Sequence, residues 1–465
     1  MRPHRTMRVG AAVLALSLLI TACASNEEQN APEPILLEDR EDEPRSTSTG
    51  GAQDEPKSIQ TENPTEGTGA GGYVWDGSMD TGITADSILI GTSGPLSGPA
   101  STFNPIGIGV GVCADYLNGE FGGVTMLDGV TRHIEVEILD DGYSPEITAQ
   151  NIRYLHEEVG VFATVNVVGS PANTAILDIV EQNEVPNVLV ASGASRWGRD
   201  FVSGEYAYTV GWQPSYHTEG KIYAAFIAAN FPGATVAILQ QNDEFGDDYV
   251  YGFELGVEGT GIEIVTVATY NSGDPDVTQQ MISLADTGAD VFFSVTTPKY
   301  AAQAMLAIGA LDWDPIQFLV SPSNSASSVL VPAGDAGGAV EGIYSAKWQA
   351  DPTDPSLVDD PAMMEYREMW NKYSNLNTDD AFSLFAWNSC LAQKQIFSNI
   401  YPTRDSLLST MGNLDEINID VPLVYTTNIS TNINFGDGWP LEAMQIEQYN
   451  GGKWEKVGVV IDVDQ

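Results

Sequence analysis

Short apolar segments alternate with helical patterns along the chain from about residue 82 to its end. The apolar segments are rich in β-branched residues and often alternate with polar ones, which is typical of strands. This pattern predicts strands at 87–92, 134–139, 162–168 and 187–191, and helices that end near 118 and span 145–158 and 173–183. Strands that alternate with helices favour βα units around parallel sheets.

The same alternation restarts after residues 208–211. It predicts strands at 235–239, 263–269 and 290–295, and helices at 217–230, 246–257, 277–287 and 300–310. The roughly 385 residues from position 82 onward exceed what one hydrophobic core usually supports. The sequence therefore predicts an α/β protein with two similar lobes in series.

Residues 1–22 have the layout of a secretory signal peptide. Three arginines precede an apolar run at 9–20, and Cys23 directly follows Thr21 and Ala22. The run is shorter than the ~20 residues that span a bilayer as a helix. Its end resembles the lipobox of bacterial lipoproteins, whose cysteine is diacylated. We expect export and a lipid anchor at Cys23 on the extracytoplasmic face of the cell membrane; an ordinary signal with a coincidental cysteine is the alternative.

Residues 23–81 have the composition of an acidic, disordered tether. Between 24 and 80, fourteen Asp and Glu face three Lys and Arg, and apolar clusters are few. Such a segment buries too little apolar surface to offset its conformational entropy. Like charges keep it extended, which suits a stalk between membrane and lobes.

The whole chain is strongly acidic, with a formal net charge of −45. Nucleic acid is therefore excluded as a partner, because phosphate contacts require Lys and Arg. We interpret the acidity, as a hypothesis, as adaptation to saline surroundings. Unfolding measured across a salt series tests it, since stability that falls with salt would contradict it.

Cysteine and histidine are scarce beyond the anchor. Cys113 and Cys390 have apolar neighbours in predicted helices, which favours buried free thiols over the alternative of a disulfide between them. His133, His156 and His217 lie far apart, without metal-ligand spacing. No histidine is paired with a candidate nucleophile, so we expect neither catalytic residues, a metal site nor a cofactor.

Small, hydroxylated loops follow two strands of the first predicted lobe, at 169–173 and 192–195. In open α/β sheets such loops lie at the carboxyl ends of the strands, where ligands bind. Small residues let backbone amides approach a ligand, and helix N-termini favour anions there. Ordinary βα-turn chemistry selects the same residues and is the alternative. Aromatic residues near these ends are candidates for an apolar wall: Phe103, Trp197, Phe245 and Trp348.

Several motifs in order resemble one family over almost the whole folded part. They lie at 83–91, 94–99, 192–198, 211–220, 241–249 and 297–303. The chain resembles the solute-binding lipoproteins of ABC importers of the branched-chain amino acid (leucine/isoleucine/valine-binding protein) family, which are type I periplasmic binding proteins.

That resemblance implies two Rossmann-like lobes with parallel sheets, joined by three hinge crossovers near 208–212, 344–348 and 423–434. The first lobe would comprise 82–209 and 347–425, and the second 210–346 and 426–465. A small molecule would bind between them, and lobe closure would deliver it to ABC permease subunits. We expect a monomer that is not an enzyme.

The resemblance also implies ligand-binding residues, position by position. The loop at Gly169 and Ser170, together with the stretch Gly193, Ala194 and Ser195, would bind the ligand's carboxylate and amino group. Aromatic residues would face the ligand's side chain: Phe103, Phe245 and Trp348.

One position departs from the family pattern. Amino-acid binders of this family place a glutamate in the loop at 297–299 to pair with the ligand's ammonium, and this chain has Lys299 there. Either Lys299 points to solvent, or the ligand carries another anionic or polar group. Branched-chain amino acids are thus the family default, and aromatic acids are an alternative. A receptor that reports the ligand to a sensor is an alternative to import.

Overall fold

The computed structural model describes residues 68–462. The predicted signal peptide at 1–22, the anchor residue Cys23 and the tether up to residue 67 lie outside the described residues. Within 68–462, no helix is both long and apolar enough to cross a membrane.

The first lobe begins with alternating strands and helices. Its strands are β1 (Ser87–Gly94), β2 (Val124–Thr125), β3 (Thr131–Asp140), β4 (Ala163–Val165), β5 (Asn187–Val190) and β6 (Thr209–Gly211). Its helices are α1 (Asn104–Phe121), α2 (Pro145–Arg153), α3 (Ser170–Asn183) and α4 (Arg196–Ser203). The sheet order is β2-β3-β1-β4-β5-β6, parallel except between β2 and β3.

The second lobe repeats this plan. Its helices are α5 (Tyr216–Asn230), α6 (Glu244–Val257), α7 (Thr278–Ala285), α8 (Pro298–Ala310) and α9 (Val331–Asp335). Its first strands are β7 (Thr235–Gln241), β8 (Glu263–Tyr270), β9 (Val291–Val295), β10 (Ile316–Leu319) and β11 (Tyr344–Lys347), all parallel.

The chain then returns to the first lobe before it ends in the second. The returning helices are α10 (Pro361–Tyr373), α11 (Ala381–Ser398) and α12 (Arg404–Met411), and α11 packs against α1 and β2. The last strands, β12 (Ala443–Asn450) and β13 (Lys453–Asp462), extend the second sheet antiparallel, giving the order β13-β12-β11-β10-β9-β7-β8.

The chain therefore passes between the lobes three times: after β6, after β11 and after α12. The second and third crossovers are joined by a bridge between Gln349 and Val424. The predicted fold class, two Rossmann-like lobes joined by three crossovers, is confirmed. The exact residue boundaries of the lobes stay a prediction.

The sequence pattern of each strand matches its place in the sheet. All five residues of the central strand β9 are buried, as expected for a parallel strand covered by helices on both faces. The edge strand β8 alternates exposed and partly buried residues up to Tyr270, because only one of its faces meets the core. Period-two patterns thus mark edges, and continuous apolar runs mark centres.

Residues 68–81 differ from the disordered tether that composition predicts. Trp75 stacks on Tyr401 with ring centroids 5.0 Å apart, and the Tyr73 hydroxyl lies 2.8 Å from Thr403 Oγ1. The backbone amide of Arg404 donates to Asp80 at 2.7 Å. These contacts join residues 68–81 to residues near the start of α12, more than 300 positions later in the chain. The local composition of 68–81 therefore does not reveal them.

Cys113 and Cys390 form a disulfide, with Cα atoms 5.5 Å apart. The preference for free thiols was therefore wrong. The two cysteines are 277 residues apart, and α11 reaches α1 only because the chain crosses back into the first lobe. Both helices also begin at a cavity between the lobes, so the disulfide covalently links two helices that form the wall of this cavity.

Removing this disulfide should destabilise the first lobe. Replacing both Cys113 and Cys390 by alanine frees a long loop in the unfolded chain, and we expect a loss of about 2–4 kcal/mol in the free energy of unfolding. Guanidinium unfolding followed by tryptophan fluorescence measures it. Reductant should destabilise the parent protein and leave the double variant unchanged; equal stability of parent and variant would contradict a structural role.

Candidate functional site

A cavity lies between the lobes, at the carboxyl ends of both parallel sheets. Strand order reverses between β1 and β4 in the first sheet and between β7 and β9 in the second. Loops diverge at such switch points and leave a crevice, which is where open α/β sheets bind ligands. Residues that follow these four strands line the cavity: Phe103, Val168, Gly169, Ser170, Phe245 and Thr297.

Aromatic side chains form much of the cavity wall. Phe103 packs edge-on against Phe382, with ring centroids 5.0 Å apart, and lies 6.3 Å from the Tyr143 ring. In the second lobe, Tyr216 packs edge-on against Phe245 at 5.4 Å. Trp348 and Phe385 complete this set. Such a wall suits a ligand with a large apolar body.

α3 begins at the cavity wall, and Pro171 contributes no backbone N–H to its first turn. Gly169 precedes the helix with φ of 98°, and a Cβ there would lie 2.6 Å from the Tyr143 ring, so only glycine fits. Ser170 begins the helix, and its hydroxyl lies 2.8 Å from that of Ser192. First-turn amides have no acceptor within a helix and carry its positive dipole end, which favours a carboxylate.

Neutral amide side chains supply further polarity. Gln213 donates to the Tyr216 hydroxyl at 3.3 Å. Gln349 donates to the carbonyl of Ala381 at 2.9 Å, and Asn324 donates to Ser345 Oγ at 2.9 Å. Burial raises the pKa of Tyr216, so its phenol stays protonated and can both donate and accept.

Lys347 is the single lysine or arginine of the cavity wall within residues 68–462. Its ammonium is buried in an ion pair with Asp351 and lies 4.7 Å from the centre of the Trp454 ring. Burial alone would raise the pKa of Asp351, but the Lys347 ammonium holds it below its usual value. The positive charge is therefore matched by a carboxylate inside the protein.

Glu219 is buried next to the cavity and binds one of its wall residues without lining the cavity itself. It accepts hydrogen bonds from the hydroxyls of Tyr223 and Tyr249, at 2.7 and 2.6 Å, and from the amide and hydroxyl of Ser321, both at 2.7 Å. Ser321 lines the cavity. Burial raises the pKa of Glu219 to about 7, despite the four donors.

Within residues 68–462, polar contacts outside the cavity join the lobes near Ser195 and near Asp380. Ser195 of the first lobe donates to Asp248 on α6, from its amide at 2.7 Å and its hydroxyl at 2.8 Å. Arg196 pairs with Glu244 at 3.2 Å. Elsewhere, Ser325 of the second lobe donates to Asp380 at 3.1 Å. The described conformation is thus one in which the lobes meet.

The structure brings together five of the nine candidate ligand-binding residues, which are the eight that the resemblance implied and the departing residue Lys299. Those that line the cavity are Phe103, Gly169, Ser170, Phe245 and Trp348. The other four do not line it: Gly193, Ala194, Ser195 and Lys299. Ser195 contacts the second lobe instead, and the Lys299 ammonium donates to the carbonyl of Asp274 at 2.8 Å. Ligand contact by these residues stays a prediction.

Sequence reasoning missed several wall residues. Gln213, Lys347 and Gln349 lie at or just beyond the predicted crossovers, so the crossover positions were the signal that could have found them. Phe382 and Phe385 lie in the first turns of α11. No local pattern separates them from core residues, because their place depends on the return of the chain to the first lobe.

Comparisons with known proteins agree with this architecture. A family model of periplasmic binding proteins matches residues 87–452. The leucine-, isoleucine-, valine-, threonine- and alanine-binding protein of Pseudomonas aeruginosa is 24% identical over 286 residues, which are 60% of this chain and 71% of that protein.

Solved structures of the same fold cover most of the chain. The structure of a branched chain amino acid ABC transporter from Thermus thermophilus with bound valine has a TM-score of 0.70 at 16% identity and covers 82% of this chain and 98% of its own. A possible leucine/isoleucine/valine-binding protein from Rhodopirellula baltica has a TM-score of 0.67 at 20% identity and covers 80% and 97%. At these identities the likeness shows the fold.

Glu219 should make the stability of the protein fall between about pH 4.5 and about pH 7. The pKa of the folded state, about 7, is above the ordinary value of 4.5, so the unfolded chain loses its proton first as the pH rises. The shift corresponds to about 3 kcal/mol. Urea unfolding across this pH range, for the parent and Glu219→Gln, measures it.

The Glu219→Gln variant has no carboxylate to titrate, so its stability should change less with pH, whatever its absolute value. Glu254→Gln, on the exposed face of α6, is the matched control and should keep the slope of the parent. If Glu219→Gln also keeps that slope, the assignment to Glu219 is wrong.

Proposed function

The chain belongs to the periplasmic binding protein family, in the type I group of branched-chain amino acid type, and on that premise we propose that it is a lipid-anchored solute-binding protein of an ABC importer. It captures a small amino acid or a related carboxylic acid or amide between its lobes. Lobe closure then presents the loaded protein to permease subunits. The family is extracytoplasmic, which agrees with this role.

The observation that carries the proposal is the cavity at the switch points of both sheets. Its wall combines residues of the first lobe, such as Phe103 and Ser170, with residues of the second, such as Phe245 and Thr297. A ligand that contacts both walls binds the closed form better than the open one. By that difference in affinity it shifts the protein toward closure.

The wall also suggests how a ligand lies. A carboxylate or carboxamide oxygen fits the first-turn amides of α3 next to Ser170, and an apolar body fits among Phe103, Phe382 and Trp348. The side-chain amides of Gln213 and Asn324 offer further neutral partners. The proposal contains no chemical step, and ATP hydrolysis belongs to a partner.

The anchor at Cys23 would keep the protein near its permease. Residues 68–81 pack on the start of α12, where Asp80 accepts from the backbone amide of Arg404. The Arg404 side chain in turn donates to the carbonyls of Phe162 and Val161 at 3.0 and 2.9 Å, just before β4 begins. This is the amino end of the strands, opposite the cavity. Residues 68–81 therefore lie away from the cleft, and tethering would raise the effective concentration of the protein at the membrane.

A screen of small solutes tests the proposal directly. A solute that binds only the folded protein raises its melting temperature, by an amount equivalent to about 2.7 kcal/mol at a concentration 100 times the dissociation constant. We expect at least one amino acid or carboxylic acid to score, and small-angle scattering to show a compaction. Phe103→Ala should weaken that solute's binding about tenfold or more, because it removes an aromatic contact.

Phe435→Ala is the matched control, since that phenylalanine is 87% exposed and does not line the cavity. It should leave the affinity of the solute unchanged. A screen in which no solute alters the melting temperature or the radius of gyration would overturn the proposal.

Anchoring has its own test. In a bacterial host with lipoprotein processing, the parent should sediment with membranes and incorporate labelled fatty acid. The Cys23→Ala variant lacks the thiol that is acylated and should appear in the soluble extracytoplasmic fraction without label. A parent chain that carries no label would refute the lipid anchor and leave solute binding untouched.

A further inference from the structure

The wall of the interlobe cavity carries no carboxylate within the described residues 68–462. Its polar side chains are hydroxyls, phenols and amides, together with Lys347. An ammonium that enters a closed, mostly apolar cavity loses its hydration. Without an anionic partner this loss is costly, because buried charges need a pairing charge and hydrogen bonds.

Three carboxylates near the wall, those of Glu219, Asp243 and Asp380, already accept hydrogen bonds from the protein. Glu219 accepts its four hydrogen bonds from two tyrosines and Ser321. Asp243 accepts from the side chain of Gln241 at 2.6 Å and from the amide of Phe245 at 3.1 Å. Asp380 accepts from the amide of Phe382 at 3.0 Å and from Ser325.

The two lysines near the site add no unpaired charge to the cavity wall. The Lys347 ammonium is paired with Asp351. Lys299 follows the wall residue Thr297 by two positions, but its ammonium is held by the carbonyl of Asp274 outside the cavity wall. The charge of Lys347 is therefore matched within the protein, and the charge of Lys299 lies outside the wall.

Helix geometry favours an anion in the cavity. Among residues 68–462, six helices begin at the wall, α1, α3, α5, α6, α8 and α11, and all but α11 follow the carboxyl end of a strand. Aspartates cap α6 and α11. Of the other four, α5 carries Glu219 in its first turn, whereas α1, α3 and α8 have neither a side-chain cap nor an acidic residue there, so no side chain offsets their positive dipole ends. These dipoles attract a carboxylate and oppose an ammonium.

We infer that the ligand is a carboxylic acid with an aromatic or large aliphatic body and no amino group. The carboxylate binds at the uncapped helix starts around Ser170, and the body packs among the rings of Phe103, Phe382 and Trp348. This inference rests on the proposed function, and it narrows the ligand class of the same site.

Matched pairs of ligands test it by calorimetric titration of the full folded protein. 3-Phenylpropanoate and phenylalanine differ only by the amino group, as do 4-methylpentanoate and leucine. We expect the acid without the amino group to bind about tenfold or more tightly than its partner in at least one pair, because the amino acid must bury an unpaired ammonium.

The possible outcomes separate this inference from the proposed function. An amino acid that binds as tightly as its deaminated partner, with compaction in scattering, overturns the inference and supports solute capture. Tight binding of choline, which has a quaternary ammonium and no carboxylate, also overturns it, because the aromatic wall would then act as a cation cage. If no solute of any class binds, the proposed function itself fails.

A charge placed in the wall gives an independent test. Gln213→Glu introduces a carboxylate of nearly the same shape into the cavity, where the parent side chain is 8% exposed. It should shift the ratio of the two affinities in a pair by about tenfold toward the amino acid. Gln279→Glu makes the same change on exposed α7 and should leave the ratio as in the parent.

An unchanged ratio in a folded Gln213→Glu protein would contradict the inference. If that variant does not fold, the titrations of the parent protein decide by themselves.

Discussion

The convergence of strand ends and helix starts on one cavity is the constraint on which the rest of the structure depends. In a parallel βα unit, every strand ends where the next helix begins, so both sheets present loops and helix N-termini on the same side. Two such lobes facing each other surround the cavity with loops and helix starts. The architecture thus places helix N-termini, which favour anions, at the cavity before any particular side chain is considered.

Side chains then adjust what the architecture provides. Aspartates cap α6 and α11. The Glu219 carboxylate accepts hydrogen bonds from Ser321 and from two tyrosines. Lys347 is matched by Asp351. The charges near the cavity are consequently paired within the protein, and the wall that a ligand meets consists of rings, hydroxyls and neutral amides. On such a wall, selectivity comes from shape and from the partners available to each polar group.

The supports of the cavity are long-range. The disulfide between Cys113 and Cys390 joins α1 to α11, and both helices contribute aromatic wall residues at or near their N-terminal ends. Residues 68–81 pack on the start of α12, opposite the cavity. The first lobe therefore contains the disulfide-linked helices of the wall and the surface on which residues 68–81 pack. Asp248 and Glu244 of the second lobe contact it through Ser195 and Arg196.

The sequence by itself determined the alternation of strands and helices, and with it the two-lobed α/β fold, because apolar periodicity is a local property of the chain. It also indicated wall positions that directly follow strands, such as Phe103, Gly169 and Phe245. Only the tertiary structure decided the pairing of the cysteines, the order of residues 68–81, the ion pair of Lys347 and the placement of Ser195 and Lys299 outside the wall. Most of these contacts join segments far apart in the chain, and the ion pair depends on the local fold of a crossover. The periodicity of apolar residues therefore does not predict them.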